Sequence, residues 1–94
     1  RARKIQERRY AGTGIRFNSQ MKGEHIRRYC ALKKEDEQFF QAVYRNMNLS
    51  ARAYTRILKV ARTIADLDGQ ERIGHGHLCE SVSYRSLEEK YWNS

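Results

Sequence analysis

Apolar residues recur along this chain at three- and four-residue spacing and nowhere in sustained alternation. The first period is that of a helix with one buried stripe, the second that of a strand. The clearest stretch runs from Leu49 to Leu67. Tyr54, Ile57, Leu58, Ala61, Ile64 and Ala65 repeat on one face with Leu67 near its flank, while Arg52, Arg56, Lys59 and Thr63 lie on the other. Ser50 is placed to cap the start by accepting a bond from an early backbone N–H, with Leu49 packing back as a staple. Asp68-Gly69 closes the helix, glycine being favoured just past a helix end. Glu35 to Met47 predicts another helix. Glu35, Asp36 and Glu37 crowd its first turn, where exposed N–H groups favour negative charge. Phe39, Phe40, Val43, Tyr44 and Met47 then form one broad stripe, and Asn46 and Asn48 suit an ending.

The remaining elements are weaker. Residues 1–10 read as a helix in which Ala2, Ile5 and Arg9 share a face, and Ala11-Gly12-Thr13-Gly14 marks a turn. Ile15 to Asn18 is too short to assign. Glu24 to Leu32 predicts a short helix with Ile26, Tyr29 and Cys30 inward. Ile73 is expected to plug the core from a connector. His77 to Leu87 reads as the last helix, with Leu78, Val82 and Leu87 inward and Tyr84 near them. Residues 88–94 form a charged tail expected to fray. The sum is an all-α fold, a small open bundle of four to five helices around one core. A chain of 94 residues, 39% hydrophobic and 32% charged, holds one such core, which excludes a barrel or a doubly wound sheet.

Charge changes this picture. The formal net charge is +8, but residues 1–34 hold 11 Lys/Arg against 2 acids and residues 35–94 hold 8 against 9. The positive field belongs to the first third, where Arg3, Lys4, Arg8, Arg27 and Arg28 are candidate contacts for nucleic acid or for an acidic protein face. Tyr10, Phe17 and Tyr29 interleave with these bases, a pattern that suits stacking on single-stranded nucleic acid and equally suits core aromatics beside solvated charges. The chain opens at Arg1 within a helical pattern, which predicts a piece of a larger protein. No apolar run approaches the roughly 20 residues that span a bilayer, and no signal peptide is recognisable. Cys30 and Cys79 lack disulfide or metal spacing and are expected as free thiols in a cytoplasmic protein.

Candidate chemistry is sparse. No phosphate loop is present, so the chain is not catalytic towards nucleotides alone. His75-Gly76-His77-x-Cys79 has metal-ligand types without a fourth ligand, and His25 with Cys30 lacks an acid to complete a nucleophile; no metal site and no catalytic residue is assigned. The sharpest local feature is Arg52 and Arg56 one turn apart at a helix start. There a positive dipole end and two planar guanidiniums suit a phosphate. Two solvated arginines on a polar face is the competing reading. Arg62 and Asp66, four apart, are expected to pair at the surface.

The run from Leu49-Ser50-Ala51-Arg52-Ala53-Tyr54 through Leu67 resembles the C-terminal segment of the magnesium-chelatase-like ComM/YifB family of AAA+ ATPases. His77-Leu78-x-Glu80-Ser81-x-x-Tyr84-Arg85 resembles that family's closing motif, with Ser81 where Ala is more common. Ala2-Arg3-x-x-Gln6-x-x-Arg9-Tyr10 and Phe17-Asn18 resemble its upstream stretch. The resemblance implies that residues 1–94 form a single helical lid, the small C-terminal subdomain of an ATPase whose ATP and Mg2+ are held mainly by an upstream core. It implies that Arg52 is the second-sensor arginine reaching the terminal phosphate of ATP, with Arg56 a second choice. It implies as partners that upstream core, neighbouring subunits of a homo-oligomeric ring and DNA, on which the motor would act, as in branch migration. The alternative from charge alone is a freestanding basic helical nucleic-acid-binding module.

Overall fold

A computed structural model describes residues 2–13 and 15–92, without the side chains of Ala2, Arg3, Ser19 and residues 86–92. Among the described residues there are five α-helices and one short 3-10 turn: α1 (Ala2–Arg9), the turn Asn18–Gln20, α2 (Gly23–Tyr29), α3 (Lys34–Asn46), α4 (Ala51–Leu67) and α5 (His75–Trp92). No strand occurs among them. The small all-α bundle expected from the periodicity is the observed architecture.

α4 is the centre of the molecule. Its main neighbour is α5, and α1, the 3-10 turn and α2 pack along its other sides. The stripe read from sequence is the buried one: Ile57 and Leu58 are buried and Ala61 and Ala65 fully so. The small alanines let neighbouring helices approach closely at mid-length. Ser50 caps the helix as expected, its Oγ accepting from the Ala53 N–H at 3.1 Å. At the far end Gly69 takes φ +71°; its N–H reaches Asp66 O, and that of Gln70 reaches Ala65 O. These two bonds satisfy carbonyls the helix leaves open. α3 ends identically with Asn48 in place of glycine, at φ +51°, its N–H on Arg45 O and that of Leu49 on Tyr44 O.

The core joins Phe40, Leu49, Ile57, Leu58, Ile73 and Leu78 to Tyr10, Met21 and Cys30. Tyr54 is half-buried and stacks on Phe40 with ring centres 4.4 Å apart. Ile73 is the plug anticipated from the connector. Ser81 is buried and its Oγ donates to Ile57 O at 2.7 Å, bridging α5 to α4.

The following expectations need correction. α2 ends at Tyr29 rather than Leu32, because Cys30 leaves the helix to pack against Met21. α5 opens at His75 rather than His77 and its backbone runs to Trp92; residues 93 and 94 lie outside the described residues, as does the side chain of Leu87. Gly74 stands just before this helix and donates its N–H to His77 Nδ1 at 2.8 Å. A histidine three residues on thus does what Glu or Gln does in a capping box. Tyr84, expected near the core, is exposed. Finally, Arg62 and Asp66 are not a surface pair. Both are buried, at 2% and 0% exposure, because α1 and the 3-10 turn cover that side of α4.

Candidate functional site

Arg52 and Arg56 occupy the first two turns of α4 and both are exposed. With Thr55, Lys59, Val60 and Thr63 they line one open cleft of about 640 Å3 along the polar face of the helix. Among the described residues no hydrogen bond or ion pair engages Arg52; Arg56 and Lys59 do have interaction partners. The cleft therefore presents a guanidinium directed to solvent at the positive end of a 17-residue helix. This set of donors suits an anion with several oxygens, which a planar fork and backbone N–H groups contact together. It offers nothing for a divalent cation: among the described residues no three His, Cys, Asp or Glu side chains group as metal ligands would.

The other end of the cleft is tied to a buried polar network that sequence reasoning missed. Asp66 Oδ1 and Oδ2 accept a bidentate pair from Arg9 at 2.6 and 2.8 Å. Oδ2 also accepts from Asn18 Nδ2 at 2.9 Å, and Oδ1 from Arg62 Nε at 3.1 Å. Burial alone would raise the Asp66 carboxyl, but the Arg9 and Asn18 hydrogen bonds and the Arg62 charge outweigh it and hold the group below the usual carboxylate range. The Asp66 bond raises the Arg9 guanidinium, and burial lowers that of Arg62, which remains a cation at neutral pH. Arg62 further donates to the carbonyls of Tyr29, Glu71 and Gln70 at 3.2, 2.8 and 2.7 Å. It thereby fastens the α2 end and the connector after α4 to α4 itself. Asn18 donates from Nδ2 to Thr63 Oγ1 at 2.9 Å, accepts at Oδ1 from Tyr10 Oη, and receives Gln6 Oε1 on its backbone N–H at 3.2 Å. The signal was present: Gln6, Arg9, Tyr10 and Asn18 are the residues on which the upstream resemblance rested. Their spacing hid a network linking α1, the 3-10 turn and α4.

The basic first third resolves differently. Lys4, Arg8, Arg27 and Arg28 are exposed; the side chain of Arg3 lies outside the described residues. Tyr10 is buried and meets the half-buried Tyr29 edge to face at 5.4 Å, so both rings pack on the core. Phe17 alone of the three interleaved aromatics stands exposed, at 51%. A row of stacking platforms is not what these residues form.

The remaining candidates separate. Cys30 is buried, and burial pushes its thiol up to about 11. His25 stacks with Tyr29, so the two make no nucleophile and base. His77 turns to Gly74 and to Asp68 Oδ2 at 2.9 Å, and His75 turns to Asp36 Oδ1 at 2.8 Å. Both cysteines are free.

Comparison with known proteins bears on these positions. The family model described as magnesium chelatase, subunit ChlI C-terminal, matches residues 1–85. The uncharacterized protein YifB of Salmonella typhimurium is 40% identical over 73 residues, 78% of this chain and 14% of that protein. The competence protein ComM of Haemophilus influenzae is 42% identical over 72 residues, 77% of this chain and 14% of that one. YifB of Escherichia coli is 41% identical over 73 residues, with shares of 78% and 14%. The chain thus spans about a seventh of the length of the curated relatives it matches. No solved structure matches it.

Proposed function

This chain belongs to the magnesium chelatase ChlI C-terminal family, and we propose that it is the helical lid of an AAA+ ATPase in which Arg52 is the second-sensor arginine. The observation that carries the reading is the disposition of Arg52. It lies in the first turn of the central helix, is exposed, and is unclaimed by any described neighbour. An arginine serving the fold would be held as Arg62 is held. Arg52 is free of such ties among the described residues and so is available to a ligand supplied from elsewhere.

In this reading the phosphate loop and the acids that hold Mg2+ belong to an upstream core, consistent with a chain that matches a small fraction of its relatives' length. ATP supplies the charge that draws the lid. A guanidinium on a rigid 17-residue helix moves with the whole bundle, so attraction to the terminal phosphate becomes a rotation of the lid about its junction with the core. Loss of that phosphate on hydrolysis removes the attraction. Arg56, one turn further in, adds to the field along the cleft. Partners are the core of the same polypeptide and neighbouring subunits of a ring. One relative's name, competence protein, fits a motor acting on DNA. Among the described residues no helix is long and apolar enough to cross a membrane, and a cytoplasmic location is part of the proposal.

The test is Arg52→Ala in the full-length protein. ATP turnover should fall by about 10²-fold or more, the scale of losing a positioned charge at a transferring phosphoryl group, while the melting temperature of the 94-residue chain stays unchanged. Turnover like that of the unmodified protein removes Arg52 from this role.

A further inference from the structure

We propose that Cys79, His75 and Asp36 form a thiol-activating relay that makes Cys79 a site of oxidation by hydroperoxides. Cys79 Sγ lies 3.3 Å from His75 Nε2, and the other ring nitrogen of His75, Nδ1, lies 2.8 Å from Asp36 Oδ1. A carboxylate on Nδ1 fixes the proton there and leaves Nε2 with its lone pair towards the thiol, the tautomer a general base requires. Two elements build the array. His75 and Cys79 stand four apart at the start of α5, hence on one face. Asp36 comes from the first turn of α3, where the helix N-terminus favours its negative charge. Asp36 is buried at 5% exposure, and the ring of Phe39 packs edge-on against His75 at 5.0 Å, so carboxylate and imidazole are both held. The imidazole is largely exposed and the thiol half-buried, so a small solute reaches both.

The reaction balances with a hydroperoxide as the one co-reactant. Sγ–H passes its proton to Nε2, and Asp36 stabilises the imidazolium. The sulfur attacks the distal peroxide oxygen; the S–O bond forms, the O–O bond breaks, and its electron pair leaves on the second oxygen. That oxygen takes the proton from Nε2, giving a sulfenic acid and an alcohol or water. Cys30 is buried against Met21 and serves as an internal control, the same chemical group with no histidine bonded to it among the described residues.

A purely structural reading exists: Asp36 and His75 pin α5 to α3, and Cys79 follows one turn on by helical geometry. The experiment separates the two. The folded 94-residue chain is treated with hydrogen peroxide, sulfenate is trapped with dimedone, and labelling is read at each cysteine by peptide mass spectrometry. Cys79 is expected to label while Cys30 does not. His75→Gln should slow Cys79 labelling by about 10²-fold, the range of a positioned general base, and Asp36→Asn by about tenfold. Asp36 is a positioning residue acting through His75, so Asp36→Asn should add nothing in the His75→Gln background. Far-UV circular dichroism checks the fold of each variant, and either single variant suffices if the other unfolds. Labelling of Cys79 at the rate of free cysteine, or a rate unmoved in a folded variant, overturns the proposal.

Discussion

Asp66 accepts hydrogen bonds from two arginines and an asparagine in a place with no solvent, so its removal strands more than one buried cation. Breaking a buried, hydrogen-bonded pair costs about 3–5 kcal/mol, and Asp66→Ala should lose that much in urea unfolding. The same carboxyl sets an acid limit. Its pKa is lower in the folded chain than in the unfolded one, so the unfolded state binds its proton first as pH falls. The stabilisation is complete above the ordinary carboxylate range and is lost as pH drops below it; Asp66→Asn should flatten that limb of the stability curve. Cys30 sets an alkaline one. Its thiol is raised from 9.0 to about 11 by burial, so the unfolded state ionises first. Stability is whole below pH 9 and declines towards 11, by about 3 kcal/mol for a two-unit shift. Cys30→Ala should remove this thiol's share of the decline in urea titrations at pH 8 and pH 10.5; burial also raises Tyr10, whose share would remain. At this scale the sequence was half legible. The four-residue spacing of Arg62 and Asp66 announced a pair, but spacing within one helix does not say what covers it. That depended on Arg9 and Asn18, 57 and 48 residues away from Asp66 in sequence.

Helices announced themselves where period and end signals agreed. α4 had a long apolar stripe, Ser50 before it and Gly69 after it, and all three work as read. Ser50→Ala should therefore cost about 1 kcal/mol, visible as a lower melting temperature. Asn48 holds a left-handed conformation at the end of α3, so Asn48→Gly should stabilise by a few tenths of a kcal/mol and Asn48→Ala should destabilise by about 1 kcal/mol, both measured by thermal unfolding. Ser81→Ala should shift stability by about 0.5 kcal/mol or less. Ile57 O lies within α4 and keeps a helical N–H when the hydroxyl goes. The start of α5 was illegible because its cap comes from a histidine, and glycine on both sides of His75 imitates a loop. Asp36 was read only as a helix-start charge; its link to His75 spans 39 residues, and no local period records it.

The whole molecule divides its charge between fold and surface. Of the cations in the first third, Arg9 is committed to the interior, while Lys4, Arg8, Arg27 and Arg28 face solvent. With Tyr10 buried and Tyr29 packed against the core, the chain alone should hold single-stranded DNA only through this diffuse charge. Binding in a fluorescence titration should be weak, fall steeply with added salt and show no base-stacking quench. Tight binding that persists in high salt would favour the freestanding module instead. Fold class and central helix were legible in the sequence because they rest on local period; the role proposed for the cleft rests on resemblance, since an exposed arginine on a polar face has the same local pattern with or without a ligand.

What distinguishes the two is where the Arg52 guanidinium lies when nucleotide is present. In a structure of the full-length protein with a non-hydrolysable ATP analogue, that group should stand about 2.7–3.2 Å from an oxygen of the terminal phosphate, of its own or a neighbouring subunit. A guanidinium left in solvent, with the α4 cleft turned away from every bound nucleotide, would contradict the assignment.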